Sequence, residues 1–349
     1  MPASPSSRLA AIVLTLAVLV AACGDDGGEE AATTTTTSSS SSTTSTTTVP
    51  AGPVAPLTGL SIDDEARLDD AAIVVKISNN DASSREALVG IEQADVVIEE
   101  RIEDRATRFA AVFHTQRPTL VGPVRSGRPA DIDIMANLGE PLLAYSGAHP
   151  SVLAMLNQFA AQDGVVLVVD DASGRDLQRD ADYRRPDNLF GDLTAIFHKS
   201  GVEAGQAVPI YTFFSPDRAR PESAVEGEGV TVEGRDIVAF VWDPDRGYVR
   251  VQDGEIHETR EGIPLAVDNL VVMEVGYTPS SYDPRNVDAA TVGSGPVAVL
   301  VGGERWTGRW ERPAPEDPYR FVTDGGDEIP LDPGTTWLTP VSYTHLTLP

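Results

Sequence analysis

The sequence predicts an α+β chain: an N-terminal α/β domain with a mixed sheet over residues 56–214, then a smaller, mostly β C-terminal domain over 230–340. Three observations carry this. Short β-branched runs alternate with helical spacings up to about residue 200. From about Val230 the helical spacing disappears, and short apolar runs are separated by turn signals. Between the two, residues 215–229 are rich in Pro, Glu and Gly and have no apolar period, which marks a linker.

The N-terminal elements follow in order. Ile73–Ile77 is a β-branched strand, and Ser84 is placed to cap a helix over 85–92. Asp95–Ile102 and Arg108–His114 read as two strands close enough to form a hairpin. Pro129 sits where a helix over 131–138 would begin. Leu142–Tyr145 is a strand, 151–162 a helix, Val165–Val169 a buried-type strand and 189–199 a closing helix. In the second domain, strands are expected at 237–242, 248–252, 270–275, 297–301, 319–322 and 336–338. Asp245-Arg246-Gly247, Asp253-Gly254, Gly302-Gly303 and Asp324-Gly325-Gly326 provide the turns. A sandwich or partly open barrel would suit that spacing.

The first 55 residues have a different character. Arg8 precedes a short apolar run, Leu9–Val20, which is below the ~20 residues that span a bilayer. Val20-Ala21-Ala22-Cys23 follows and resembles a bacterial lipobox. Residues 1–22 are therefore expected to be a lipoprotein signal peptide, with Cys23 acylated (palmitate among the acyl groups) as the new N-terminus. Residues 23–55 are acidic and then Thr/Ser-rich, with no apolar residue from Thr33 to Thr48. Such a tract cannot offset its ordering entropy, so a disordered spacer is expected. The location implied is the cell membrane, lipid-anchored on the extracytoplasmic face.

Composition removes several function classes. Asp and Glu number 53 against 26 Lys and Arg, a formal charge of -27. A surface this acidic repels phosphate backbones, so no nucleic-acid partner is expected. The single cysteine excludes intrachain disulfides and Cys-rich zinc sites. No strand is followed by a glycine-rich phosphate loop, so no nucleotide cofactor is expected, and no histidine pair has metal-site spacing.

The pattern Asp95-Val96-Val97-Ile98-Glu99, then Thr107-Arg108-Phe109, then Gly122-Pro123-Val124-Arg125-Ser126 with Arg128, resembles the YerB-like lipoprotein family. Pro56-Leu57-Thr58-Gly59-Leu60 matches the start of that family's domain, and Trp242-Asp243, Tyr248-Val249-Arg250 and Leu331–Trp337 extend the likeness through the β region. The resemblance implies two domains and an envelope location, and carries no accepted activity. Two departures stand out. Asp104-Arg105 occupy a hairpin turn where the family tends to glycine, and Asp187 precedes Asn188 where histidine is expected.

The best candidate constellation is Arg125, Ser126 and Arg128, just before the helix that Pro129 opens. Two guanidinium forks beside a helix start would hold a carboxylate or phosphate. The competing structural account pairs these arginines with Glu99, Glu100 or Asp133. Glu99 and Glu103 form a second feature, with Arg108 on the next strand as the nearest counter-charge. His149 follows a strand end, and Ser126, His149 and Asp133 could be imagined as a triad, although no nucleophile signature is present. Two functions stay open: a binding module for an anionic envelope ligand or a protein partner, or an envelope hydrolase or transferase using Glu99, Glu103 or His149. Residues 341–349 contain no acid and resemble translated adapter sequence, which implies a non-native tail; their β propensity allows a final strand instead.

Overall fold

The computed structural model describes residues 52–163, 165–169, 177–200, 204–342 and 346–347. The signal peptide, Cys23 and most of the spacer lie outside them. The N-terminal half contributes β1 (Ile73–Ser78), α1 (Ala82–Glu86), β2 (Val96–Arg101), β3 (Thr107–Phe113), α2 (Asp131–Met135), β4 (Leu142–Tyr145), α3 (Pro150–Asp163) and β5 (Val166–Val169). A small hairpin, β6 (Leu177–Arg179) and β7 (Leu189–Gly191), and α4 (Leu193–Ser200) complete it. The C-terminal half is strands alone: β8 (Val225–Glu226), β9 (Gly229–Glu233), β10 (Ile237–Asp243), β11 (Gly247–Gln252), β12 (Glu255–Ile256), β13 (Ala266–Val267), β14 (Asn269–Glu274), β15 (Tyr277–Pro279), β16 (Val287–Ala289), β17 (Gly293–Val301), β18 (Glu304–Arg312), β19 (Arg320–Thr323), β20 (Thr336–Val341) and β21 (Leu346–Thr347).

The C-terminal strands do not close on themselves as a sandwich or barrel. One group extends the N-terminal sheet in the order β19-β18-β17-β14-β20-β2-β3-β1-β4-β5, with β8 beside β18. The other group forms a second sheet, β12-β11-β10-β9-β21, with β13 on β11. The junction is β20, which runs parallel to β14 on one side and to β2 on the other. The sheet therefore crosses from one domain to the other without a break. Two apolar layers cover its faces, and each draws on both halves: Val112, Leu143, Trp306 and Trp310 share one layer, and Phe109, Leu193, Phe240 and Trp337 the other. The segment expected to be a bare linker carries β8.

Central strands are buried on both faces, which explains their almost continuous apolar runs. Several elements differ from expectation: the first helix, expected over 85–92, covers only Ala82–Glu86. Asp81, not Ser84, caps α1, in a capping box with Ser84. The second helix stops at Met135, short of 138. Leu189–Gly191 is strand, so the closing helix begins only at Leu193. β18 was not expected, because its buried tryptophans are interleaved with exposed Glu and Arg. In the β2–β3 hairpin, Asp104 and Arg105 adopt φ of 57° and 60°. Glycine reaches that region without steric cost, which accounts for the family's tendency there. In the 341–349 segment, Val341 is buried at the end of β20, and Leu346–Thr347 pairs with β9.

Candidate functional site

Of the sequence-predicted residues, Arg108, Arg125, Arg128 and Glu103 gather at one edge of the large sheet. β1, β2, β4 and β5 all point the same way, so their C-terminal ends lie together, beside the start of antiparallel β3. Open α/β sheets bind ligands outside this edge. The Gly122–Arg128 loop is laid along it: the Arg125 N–H donates to the Lys76 carbonyl at 2.8 Å, and the Ser146 N–H donates to the Arg125 carbonyl at 2.8 Å. Gly122 has φ of 156°, and a Cβ there would lie 2.8 Å from the Leu189 carbonyl oxygen, so the close approach requires glycine.

Three guanidiniums converge at this edge. Arg125 Nη1 donates to Asp187 Oδ1 at 2.6 Å, and Asp187 is buried and also accepts from Ser83 Oγ at 2.7 Å. Arg128 Nη2 donates to both oxygens of Glu103, at 2.7 and 3.0 Å. Arg108 is fully buried and makes no ion pair among the described residues. Its Nη atoms donate to the Ser126 carbonyl (3.2 Å) and Asn80 Oδ1 (3.1 Å), and its Nε has no partner. Burial, and then repulsion from Arg128 and Arg125, pulls the Arg108 pKa down to about 9.

Beneath the arginines lies a second charged layer. Lys76 is fully buried and pairs with Glu100 and Asp131. Burial raises the Glu100 carboxyl above its usual range; Lys76 opposes that rise and Asp131 adds to it. Two carboxylates sharing one ammonium in a dry site favour a retained proton.

Several expectations change here. Arg125 and Arg128 are paired, but with Asp187 and Glu103 rather than with Glu99, Glu100 or Asp133. Helix α2 offers no open N-terminus: it has five residues, and the Arg128 N–H donates to Asp131 Oδ2 at 2.7 Å. Asp133 faces elsewhere, accepting from Thr291 Oγ1 at 3.4 Å near Arg312, with burial raising its carboxyl. His149 is exposed, with Nδ1 2.6 Å from Ser151 Oγ. Ser126, His149 and Asp133 share no hydrogen bond, so no triad assembles.

Glu99 has a different partner from the one expected. It points to the opposite face of β2 and meets Arg250 of β11, at 2.7 and 3.2 Å. Thr107 Oγ1 and Trp337 Nε1 also donate to it, at 2.8 and 3.2 Å. Arg250 Nη1 further donates to Gln252 Oε1 (2.7 Å) and His257 Nδ1 (2.5 Å). Glu99 thus ties the large sheet to the second one.

Comparison with known proteins matches residues 57–204 to the N-terminal domain, and residues 229–338 to the C-terminal domain, of the "Protein of unknown function (DUF3048)" family. The chain belongs to this family. The Bacillus subtilis (strain 168) protein named "Putative lipoprotein YerB" is 28% identical over 298 residues, covering 81% of this chain and 85% of that protein. The crystal structure of YerB from Bacillus subtilis superposes with a TM-score of 0.68 at 24% identity, over 83% of this chain and 97% of that one. That likeness establishes the fold.

Within this DUF3048 chain, sequence reasoning missed Lys76 and Arg250 as members of the charged networks. Lys76 left a signal: it is one of two lysines in the chain and stands in an otherwise apolar strand. Asp187 was noted only as a departure from the family pattern. No comparable signal links Asp187 to Arg125, which are 62 residues apart. Among the described residues no cluster of His, Cys, Asp and Glu could hold a metal ion.

Proposed function

We propose that this chain is a lipid-anchored envelope protein, held on the extracytoplasmic face through Cys23, whose sheet edge binds an anionic ligand at Arg125 and Arg128. The lipobox-like Val20–Cys23 run and the name of the Bacillus relative support the anchor. One observation carries the binding function. Three guanidiniums converge, yet among the described residues only two carboxylates, Asp187 and Glu103, pair with them, and Glu103 is unlike a fixed partner. Its side chain is 39% exposed and comes from a hairpin turn. A carboxylate so placed is a stand-in that an external carboxylate or phosphate can displace, gaining the same charge-assisted contact with Arg128. Asp187, buried and held by Ser83, stays to orient Arg125.

The full chain titrated with inorganic phosphate at low ionic strength tests this. Charge-assisted hydrogen bonds are worth ~1.5–3 kcal/mol, so Arg128→Gln should weaken phosphate at least about tenfold. Glu103→Gln should tighten it by removing the competitor. If phosphate binding is absent from the wild type and from Glu103→Gln alike, the arginines are a structural ion-pair network and the binding function fails.

A further inference from the structure

A second recess lies on the opposite face of β2, away from the arginine cluster. It opens between the β2–β3 hairpin, the β9–β10 turn and the end of β20, a cleft of about 60 Å³ beneath an open mouth. Small-molecule sites have mostly apolar walls with a few placed polar groups. The walls here fit that pattern: Val232, Val238, Phe240, Tyr277, Pro340 and Val341.

The polar group that distinguishes this cleft is Arg101. Its guanidinium carbon lies 5.2 Å from the centroid of the Tyr277 ring. It makes no ion pair among the described residues, and its Nε is buried without a hydrogen-bond partner. The ring beneath it is fixed, because Tyr277 Oη donates to the Pro340 carbonyl at 2.7 Å. The nearby carboxylates are engaged elsewhere. Glu99 is held by Arg250, and Asp236 accepts from Gln252 Nε2 at 2.7 Å. Glu233 is exposed at the mouth. In a chain of net charge -27, a cation left without a carboxylate beside apolar walls calls for an anion from outside.

We infer that this cleft binds an organic anion with an apolar body, its carboxylate or sulfonate on Arg101 and its body against Val238, Phe240 and Tyr277. Bare inorganic anions lack the part that the walls select, and uncharged lipids lack the part that Arg101 selects. The site is separate from the Arg125/Arg128 edge and does not rest on it.

The probe is anilinonaphthalene sulfonate, which brightens in apolar sites, added to the native full chain. One saturable site is expected, displaced by decanoate but not by decanol or inorganic sulfate. Arg101→Gln should weaken the dye about tenfold or more, the usual effect of losing a desolvated charge-assisted contact. Arg128→Gln should leave dye binding unchanged. Gly234→Leu is a second, independent variant. Gly234 lines the cleft, and a Cβ there meets nothing closer than the Asp236 carbonyl oxygen at 3.5 Å, so the added side chain should fold in place and block the dye. Unaltered melting of each variant separates blocked binding from lost structure. Dye binding that survives both Arg101→Gln and Gly234→Leu, or sulfate displacing as well as decanoate, would overturn the inference.

Discussion

Replacing Arg250 by methionine tests how the two sheets are joined. Arg250 is fully buried and Glu99 nearly so. The wild-type carboxylate accepts four hydrogen bonds, two of them from Arg250. After Arg250→Met it keeps only those of Thr107 and Trp337, with no counter-charge, inside a layer of Phe109, Phe240 and Trp337. Removing one partner of a buried pair costs ~3–5 kcal/mol. With a urea slope near ~3 kcal/mol/M, the midpoint should fall by about 1 to 1.7 M. The double variant Glu99→Leu/Arg250→Met removes both charges, so most of that loss should return, because well-packed apolar replacements of buried pairs are often neutral. Urea unfolding followed by tryptophan fluorescence measures all three, and Trp337 reports from the site itself. A single-variant loss under about 1 kcal/mol, the range of exposed ion pairs, would refute the assignment of Glu99 as a buried tie between sheets.

Three other outcomes are expected. A fragment of residues 56–214 should aggregate or fail to fold, since without β20 the edge of β2 is bare; a monomeric, cooperative fragment by size exclusion and melting would contradict this. His257 has its pKa lowered to about 2 by burial and then by Arg250, so below ~6.5 the unfolded chain takes up a proton that the folded chain refuses. Stability contributed by its neutral form is complete above that pH and falls as acid is added, by up to about 1.4 kcal/mol per pH unit, and His257→Gln should flatten that part of the acid-denaturation curve. Cys23→Ala should leave the membrane fraction for the soluble or precursor pool, and unchanged sedimentation with membranes would count against the lipid anchor.

Much of this protein was legible before its fold. The strands β1 to β5 announce themselves through short, largely apolar runs, a signal that is local in the chain. The arginine run 125–128 was also readable, since charged residues clustered in an acidic chain stand out by composition alone.

Partners were the part that only the tertiary structure decided. Glu99 could have met Arg108, nine residues on; it meets Arg250 instead, because side chains alternate across a strand and Glu99 faces the second sheet while Arg108 faces α2. Arg125 finds Asp187 through a loop that only the fold brings back to the sheet edge. The same limit hid the architecture of the C-terminal half. Its strands look alike in sequence, but β20 pairs with β2, and β9 to β13 separate into another layer. Strand propensity is set by a few neighbouring residues, whereas pairing is set by which distant edges and apolar faces are left to be covered.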